Sequence, residues 1–178
     1  MKKAEDSFKE GLKKNLDKKY TEAMADYTKA IEQNPDHVDA YMQRGTLGYR
    51  LLKQYNESLL DFDKAVQLAP DRADTFLHRG IVKCHLLQFA EGLKDFNRAA
   101  ELAPNDERVY FNRGKVKYVL KYEKDDVCDD LNMALRHGFA QAGELIKLFY
   151  NEDQDTFSQR IEKGISEKAK GRRGKSGS

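Results

Sequence analysis

The chain has 178 residues, of which 32 are lysine or arginine and 30 are aspartate or glutamate, and its formal net charge is +2. The longest stretch without one of these charged side chains is seven residues. A membrane-spanning helix needs about 20 mostly apolar residues, so no membrane insertion is predicted. Two cysteines without a CxxC pair exclude a disulfide framework and a cysteine-rich zinc module. The N-terminal residues do not resemble a secretory signal, and a cytoplasmic location is expected.

Three kinds of residue recur along the chain at steps of 34 or 35 positions. They are the prolines Pro35, Pro70 and Pro104, the glycines Gly11, Gly45, Gly80 and Gly114, and the alanines Ala30, Ala65, Ala99 and Ala134. Each alanine follows a large apolar residue three positions earlier. A period of about 34 residues is typical of helical arrays, so an all-α fold built from repeats is predicted.

Each repeat is predicted to hold two helices, as the second one illustrates. Tyr41 and Gly45 share one helical face, and Leu59 and Phe62 begin the apolar stripe of a second helix. Pro70 then ends that helix, because proline lacks the backbone N–H and its ring clashes with the preceding turn. The small glycine allows the two helices of a repeat to approach each other closely.

These motifs resemble the tetratricopeptide repeat family. The matching residues are Gly11, Ala23, Tyr27, Ala30 and Pro35; Tyr41, Gly45, Ser58, Phe62, Ala65 and Pro70; Phe76, Gly80, Gly92, Phe96, Ala99 and Pro104; and Tyr110, Gly114, Leu131 and Ala134. The resemblance implies a right-handed α-solenoid of about four helix-turn-helix units, at about 4–37, 38–72, 73–106 and 107–138. Repeats 2 and 4 depart from the pattern by one extra residue between their two helices.

The residues after the repeats are predicted to close the array. An apolar stripe that includes Phe139, Leu145 and Phe149 predicts a capping helix over 139–150, so that 1–150 forms one array domain. Residues 151–169 are predicted to form an additional helix. Residues 170–178 are predicted to be a disordered basic tail, because they contain no apolar side chain.

An arginine precedes the first-helix glycine in three repeats, and an aspartate precedes the apolar residue of each following helix. Aligned arginines could bind phosphate or an acidic peptide. The favoured interpretation is structural pairing between the two antiparallel helices of each repeat. The predicted pairs are Arg44–Asp61, Arg79–Asp95 and Arg113–Asp130.

The family resemblance implies a peptide-binding groove whose concave wall is formed by the first helices. The side chains mapped to this wall are apolar, aromatic, hydrogen-bonding or cationic, and they are expected to be exposed. They are Met42, Gln43, Tyr49, Arg50, Leu77, His78, Ile81, His85, Arg108, Phe111, Asn112, Lys115 and Tyr118. The alternative is that several of them only pack between adjacent first helices.

Other chemistry is not favoured by the sequence. The family's clamp for chaperone C-terminal tails needs cations and asparagines at positions where this chain has Phe8, Leu12, Gln43, Asp74 and His78. No metal-ligand spacing, nucleophile set or phosphate loop occurs, so no catalytic residue, metal site or cofactor is predicted. The basic tail lacks aromatic residues for base stacking, so nucleic acid is not the expected partner.

The sequence therefore predicts a non-enzymatic protein–protein interaction module that binds a partner peptide or segment in the concave groove. The alternative function is a structural scaffold that acts by self-association, or through its convex face and C-terminal helix. The partner's identity, the oligomeric state and the role of the basic tail stay open at this point.

Overall fold

A computed structural model describes residues 2–151 of the chain. This part consists of helices joined by short turns and contains no strand, and the predicted all-α helical-repeat class is confirmed. The helices are α1 (Lys2–Leu16), α2 (Tyr20–Gln33), α3 (Val38–Leu47), α4 (Tyr55–Leu68), α5 (Ala73–His85), α6 (Phe89–Leu102), α7 (Glu107–Val119), α8 (Lys124–Arg136) and α9 (Ala140–Asn151).

The described helices belong to two compact bodies, one with α1 to α6 that ends at Pro104 and one with α7 to α9 that begins at Asn105. In each body, helices that follow one another in the chain pack side by side. Their short connections make neighbouring helices antiparallel. The α1–α2, α3–α4 and α5–α6 connections of the first body therefore lie at one end, called the loop end below. The α2–α3 and α4–α5 connections, which contain Pro35 and Pro70, lie at the opposite end, called the proline end.

Paired helices in the first body cross where a glycine faces a buried aromatic ring. A Cβ atom on Gly45 would lie 2.9 Å from Phe62 Cζ, and a Cβ atom on Gly80 would lie 2.8 Å from Phe96 Cε1. Both rings are buried, at 0% and 1% exposure. Only glycine leaves room for these rings, so the periodic glycines hold the helix pairs at close distance.

The extra residue of repeat 2 lies inside a helix. Beyond Leu47, α3 continues as a π-helical turn over Gly48–Leu52, which ends at Lys53 with a left-handed φ of 56°. The N–H of Lys53 donates to the carbonyl of Gly48 across this turn. In repeat 4 the extra residue instead lengthens the connection between α7 and α8. One sequence feature thus has two structural solutions, and a π-helical turn of this kind is often found at functional sites.

The structure describes only part of the segment that follows the four predicted repeats. Helix α9 covers Ala140–Asn151, where the sequence predicts a capping helix. The additional helix predicted over 151–169 and the disordered tail predicted over 170–178 fall, apart from Asn151, outside the described residues. Within residues 2–151, no helix combines the length and the apolar character needed to cross a bilayer.

Candidate protein-interaction surface

The three predicted arginine–aspartate pairs are all present. Each guanidinium donates two hydrogen bonds to one carboxylate, with Nη2–Oδ1 distances of 2.6 to 2.7 Å and Nε–Oδ2 distances of 2.9 to 3.0 Å. The carboxylates are buried. The pairs are Arg44–Asp61, Arg79–Asp95 and Arg113–Asp130. The structural interpretation is confirmed, because these arginines are committed to holding helix pairs together.

A second cation reinforces this pattern in repeat 3 but not in repeat 2. Lys83 Nζ lies 2.8 Å from Asp95 Oδ2. The matching position in repeat 2 is Gly48, at the start of the π-helical turn. Asp61 is therefore paired with Arg44 alone among the described residues. Burial raises the pKa of Asp61 above its usual value, and the hydrogen bonds from Arg44 only partly oppose this shift.

Aromatic and histidine side chains form a cluster in the first body, where α3, α4 and α5 meet. The Tyr49 hydroxyl lies 3.2 Å from His78 Nδ1, and the Phe62 ring stacks on His78 at 5.6 Å between centroids. Tyr55 stacks on His85 at 4.8 Å. Hydrogen bonding and stacking thus fix the orientation of both histidine rings on one side of α5.

Three residues predicted to be exposed on this side are buried, so that expectation is wrong for them. Met42, Tyr49 and Leu77 have exposures of 5%, 9% and 1%. Met42 and Tyr49 belong to a core cluster that includes Phe62 and Val82. These three side chains lie beneath the accessible surface and support it by packing in the core. The accessible residues are the half-exposed Gln43, His78, Ile81 and His85 and the exposed Arg50, which together are called the α3/α5 surface.

In the second body, Tyr118 is also buried, against the expectation of exposure. Its ring meets Phe149 of α9 edge to face at 5.1 Å, and 8% of the residue is exposed. Phe111 remains half-exposed. Its ring lies 4.5 Å from that of Phe139, and Lys115 Nζ lies over it at 5.2 Å from the centroid. The α9 segment therefore covers one end of α7 and leaves the Phe111 region accessible.

The polar residues of α7 are held by contacts near its first turn. Arg108 donates to both carboxylate oxygens of Asp106, at 2.9 and 2.6 Å, and Asn112 Nδ2 donates to the Arg108 carbonyl at 2.8 Å. Partial burial favours the protonated acid, but the hydrogen bonds and positive charge of Arg108, together with a hydrogen bond from the backbone N–H of Val109, lower the pKa of Asp106 overall. Arg108, Phe111, Asn112 and Lys115 are called the α7 surface.

Two residues beside the α3/α5 surface were missed by sequence reasoning. Tyr55 belongs to it through the stack on His85, and its signal was available, since an aromatic residue begins every second helix of the first body. Arg72 joins the starts of α3 and α5 by donating to Asp39 at 2.8 Å and to Asp74 at 2.7 Å. Its signal was the pair of acids 35 positions apart.

The described residues contain no group of three or more histidine, cysteine or acidic side chains placed to hold a metal ion. Both surfaces instead offer neutral, cationic and apolar groups side by side. Such groups can hydrogen-bond the backbone and contact the side chains of a peptide.

Comparison with known proteins agrees with the repeat pattern. Residues 17–37 and 38–72 match the family model described as Tetratricopeptide repeat. No curated protein matches the chain.

Solved structures share the fold at low sequence identity. The MamA protein superposes with a TM-score of 0.75 at 18% identity, over 99% of this chain and 97% of that chain. The first repeat domain of Spaghetti (RPAP3), bound to the HSP90 peptide SRMEEVD, gives 0.65 at 27% identity, over 68% and 95%. YrrB, described as a protein of this type with an unusual peptide-binding site, gives 0.66 at 23% identity, over 83% and 78%.

Proposed function

We propose, from the premise that this chain is a tetratricopeptide repeat protein, that it binds a segment of a partner protein on the surfaces of its first helices. The role of a protein-interaction module is supported by the fold and by neighbours that bind peptides. The observation that carries the proposal is the combination of accessible polar groups with half-exposed apolar groups, found on the α3/α5 surface of the first body and separately on the α7 surface of the second. No catalytic step is part of this function.

The alternative function, a self-associating scaffold, would be recognised by light scattering that increases with protein concentration beyond the monomer value.

Each surface supplies a different part of the recognition. On the α3/α5 surface, Gln43 can both donate and accept hydrogen bonds, Arg50 supplies a cation, and Ile81 supplies apolar contact. On the α7 surface, Phe111 supplies an aromatic face beside Lys115. The buried Tyr49 supports the first of these surfaces by packing against the ring of His78 and hydrogen-bonding to it.

Substitution of the accessible polar groups on the surface that holds the peptide, either the α3/α5 surface or the α7 surface, should weaken binding by about tenfold or more, since interfaces depend on a few residues. The probe is a peptide selected from a displayed library on the unmodified chain. The variants are Gln43→Ala/Arg50→Ala and Asn112→Ala/Lys115→Ala. Affinity is measured by fluorescence anisotropy.

Lys29→Ala/Lys94→Ala is the matched control, because both lysines are exposed but lie on the second helices α2 and α6. Its affinity should equal that of the unmodified chain. If the control loses as much affinity as the two test variants, the first-helix surfaces are not the binding site. Tyr49→Ala is unsuitable for this purpose, because it would open a cavity in the core.

The peptide SRMEEVD, which the Spaghetti (RPAP3) domain binds, should not bind this chain in a saturable way. Recognition of its carboxylates requires cations on the first helices, at positions where this chain has Phe8, Asp74 and His78. Isothermal titration with the free peptide and with its C-terminal amide tests this expectation. Saturable binding that is lost in the amide would contradict it.

A further inference from the structure

Exposed leucines are concentrated at the loop end of the first body. Leu16 is 84% exposed, Leu51 49%, Leu87 40% and Leu52 36%. They lie on all three connections of this end, next to the starts of α2, α4 and α6. The remaining strongly exposed leucine of this body in the described part is Leu60, at 70%, and it lies within α4. The proline end shows no exposed large apolar side chain among its described residues.

Leu87 is exposed at a position where the backbone disfavours it. Its φ is 67°, in the left-handed region, which bulky side chains rarely adopt. The corresponding connections of the other two repeats place Lys18 (φ 60°) and Lys53 (φ 56°) in this conformation. A leucine at this position does not lower the conformational cost of the left-handed backbone, and it remains 40% exposed. Stability of the fold therefore does not explain its presence.

The π-helical turn places two further leucines at the same end. It adds one residue to the first helix of repeat 2, and Leu51 and Leu52 follow Arg50 at the end of this turn. Neither leucine is buried. The inserted residue thus lengthens the helix at the end where the leucines of the other repeats are also exposed.

Cations surround these leucines. Lys13, Lys18, Lys19 and Lys53 are exposed, and none of them takes part in an ion pair within residues 2–151. The acids at this end are fewer than its lysines and arginines: Asp17, Glu22, Glu57 and Glu91. The proline end has the opposite character, with exposed Asp36 and Asp71. The loop end therefore combines protruding apolar tips with positive charge.

We propose that the loop end docks on an anionic lipid surface. The leucines would enter the interfacial layer, and the lysines would contact the charged headgroups. The apolar tips belong to three separate connections rather than to one groove, so a continuous, deformable surface can receive all of them at once. A lipid layer of negative charge matches both this distribution and the cations around it. Apart from Arg50, which borders both, the leucines and lysines of this contact lie outside the α3/α5 and α7 surfaces. The variants that test lipid binding therefore leave the proposed peptide-binding residues unchanged.

The test is co-sedimentation of the full chain with phosphatidylcholine vesicles, with and without phosphatidylserine. Binding should require phosphatidylserine and weaken with salt. The variant Leu16→Gln/Leu51→Gln/Leu87→Asn should partition about tenfold less, since buried apolar area and charge together set such affinity. Asparagine is chosen at position 87 because it tolerates a left-handed backbone. Leu60→Gln is the matched control, and its partitioning should not change.

Lys18→Asn/Lys53→Asn should also reduce binding and its dependence on salt, because it removes two positive charges from the loop end. Asparagine is again chosen because both positions have a left-handed backbone. Equal thermal unfolding of all variants would show that the fold is unaffected. A variant with Lys170, Arg172, Arg173 and Lys175 changed to glutamine separates the basic C-terminal residues from the loop end. The proposal is overturned if binding is lost only in that variant, or if Leu60→Gln weakens binding equally. It is also overturned if the leucines govern only self-association, measured by light scattering without lipid.

Discussion

Replacing Gly80 with valine is expected to lower the free energy of unfolding by about 3 kcal/mol, at the upper end of the range for overpacked cores. Even the first added atom, Cβ, would lie 2.8 Å from Phe96 Cε1 and 3.1 Å from the backbone oxygen of Gly92. Phe96 is 1% exposed and cannot move without opening the core. Valine adds two further methyl groups, so α5 and α6 would have to separate. Urea unfolding followed by circular dichroism measures the change.

Gly143→Ala provides the matched control for crowding at a helical glycine. A Cβ atom at this position of α9 would meet only the Leu135 side chain, at 3.4 Å, which is ordinary van der Waals contact. Alanine is favoured over glycine in a helix interior by up to about 1 kcal/mol. The variant should therefore be as stable as the unmodified chain or slightly more so. A similar loss of stability in both variants would show that close approach is not what requires Gly80.

The periodic features of the fold could be predicted from the sequence because one spacing recurs in each repeat. Arg79 and Asp95 occupy the same positions as Arg44 and Asp61, relative to the glycine and the aromatic residue of each helix pair. When two helices are antiparallel and cross at the glycine, these positions face each other. The bidentate geometry of both pairs follows from that repeated arrangement.

The burial of individual side chains could not be predicted in the same way. Periodicity assigns Tyr49 and Tyr118 to a helical face, but their burial depends on residues from other elements. His78 of α5 packs against Tyr49, and Phe149 of α9 packs against Tyr118. Spacing within one helix carries no information about these neighbours. The candidate surface is therefore smaller than the sequence indicates, and it consists of the residues that no later helix covers.

The location of the extra residue in repeat 2 was also beyond the sequence pattern. An insertion between two helices can lengthen the loop, as between α7 and α8, or widen one helical turn, as at Gly48–Leu52. The choice depends on packing. A Cβ atom on Gly48 would lie 2.6 Å from Ser58 Oγ, so with any larger residue the Ser58 side chain would have to move. Repeat 2 therefore has Gly48 at the position of Lys83 in repeat 3, and Asp61 has no equivalent of that lysine.

Replacing Asp95 with alanine is expected to lower the free energy of unfolding by about 3 kcal/mol, because it leaves buried charge without its partner. The Asp95 side chain is 5% exposed, and those of Arg79 and Lys83 are 18% and 16% exposed. Both cations would lose a short contact, and the acidic partner left to Arg79 among the described residues would be Asp63, whose side chain is 50% exposed. The triple variant Arg79→Met/Lys83→Met/Asp95→Leu should be more stable than Asp95→Ala, because it removes the aspartate together with both of its cations.

Asp61→Ala distinguishes stranded charge from simple loss of packing. Asp61 occupies the same position in repeat 2 and is as deeply buried, but Arg44 is its single cationic partner among the described residues. Arg44 also keeps a hydrogen bond to Thr28 at 3.0 Å. Fewer cations are stranded, so the loss of stability should be clearly smaller than for Asp95→Ala. Equal losses in urea unfolding would mean that the number of stranded cations does not set the cost, and that the aspartates stabilise the repeats mainly through their packing.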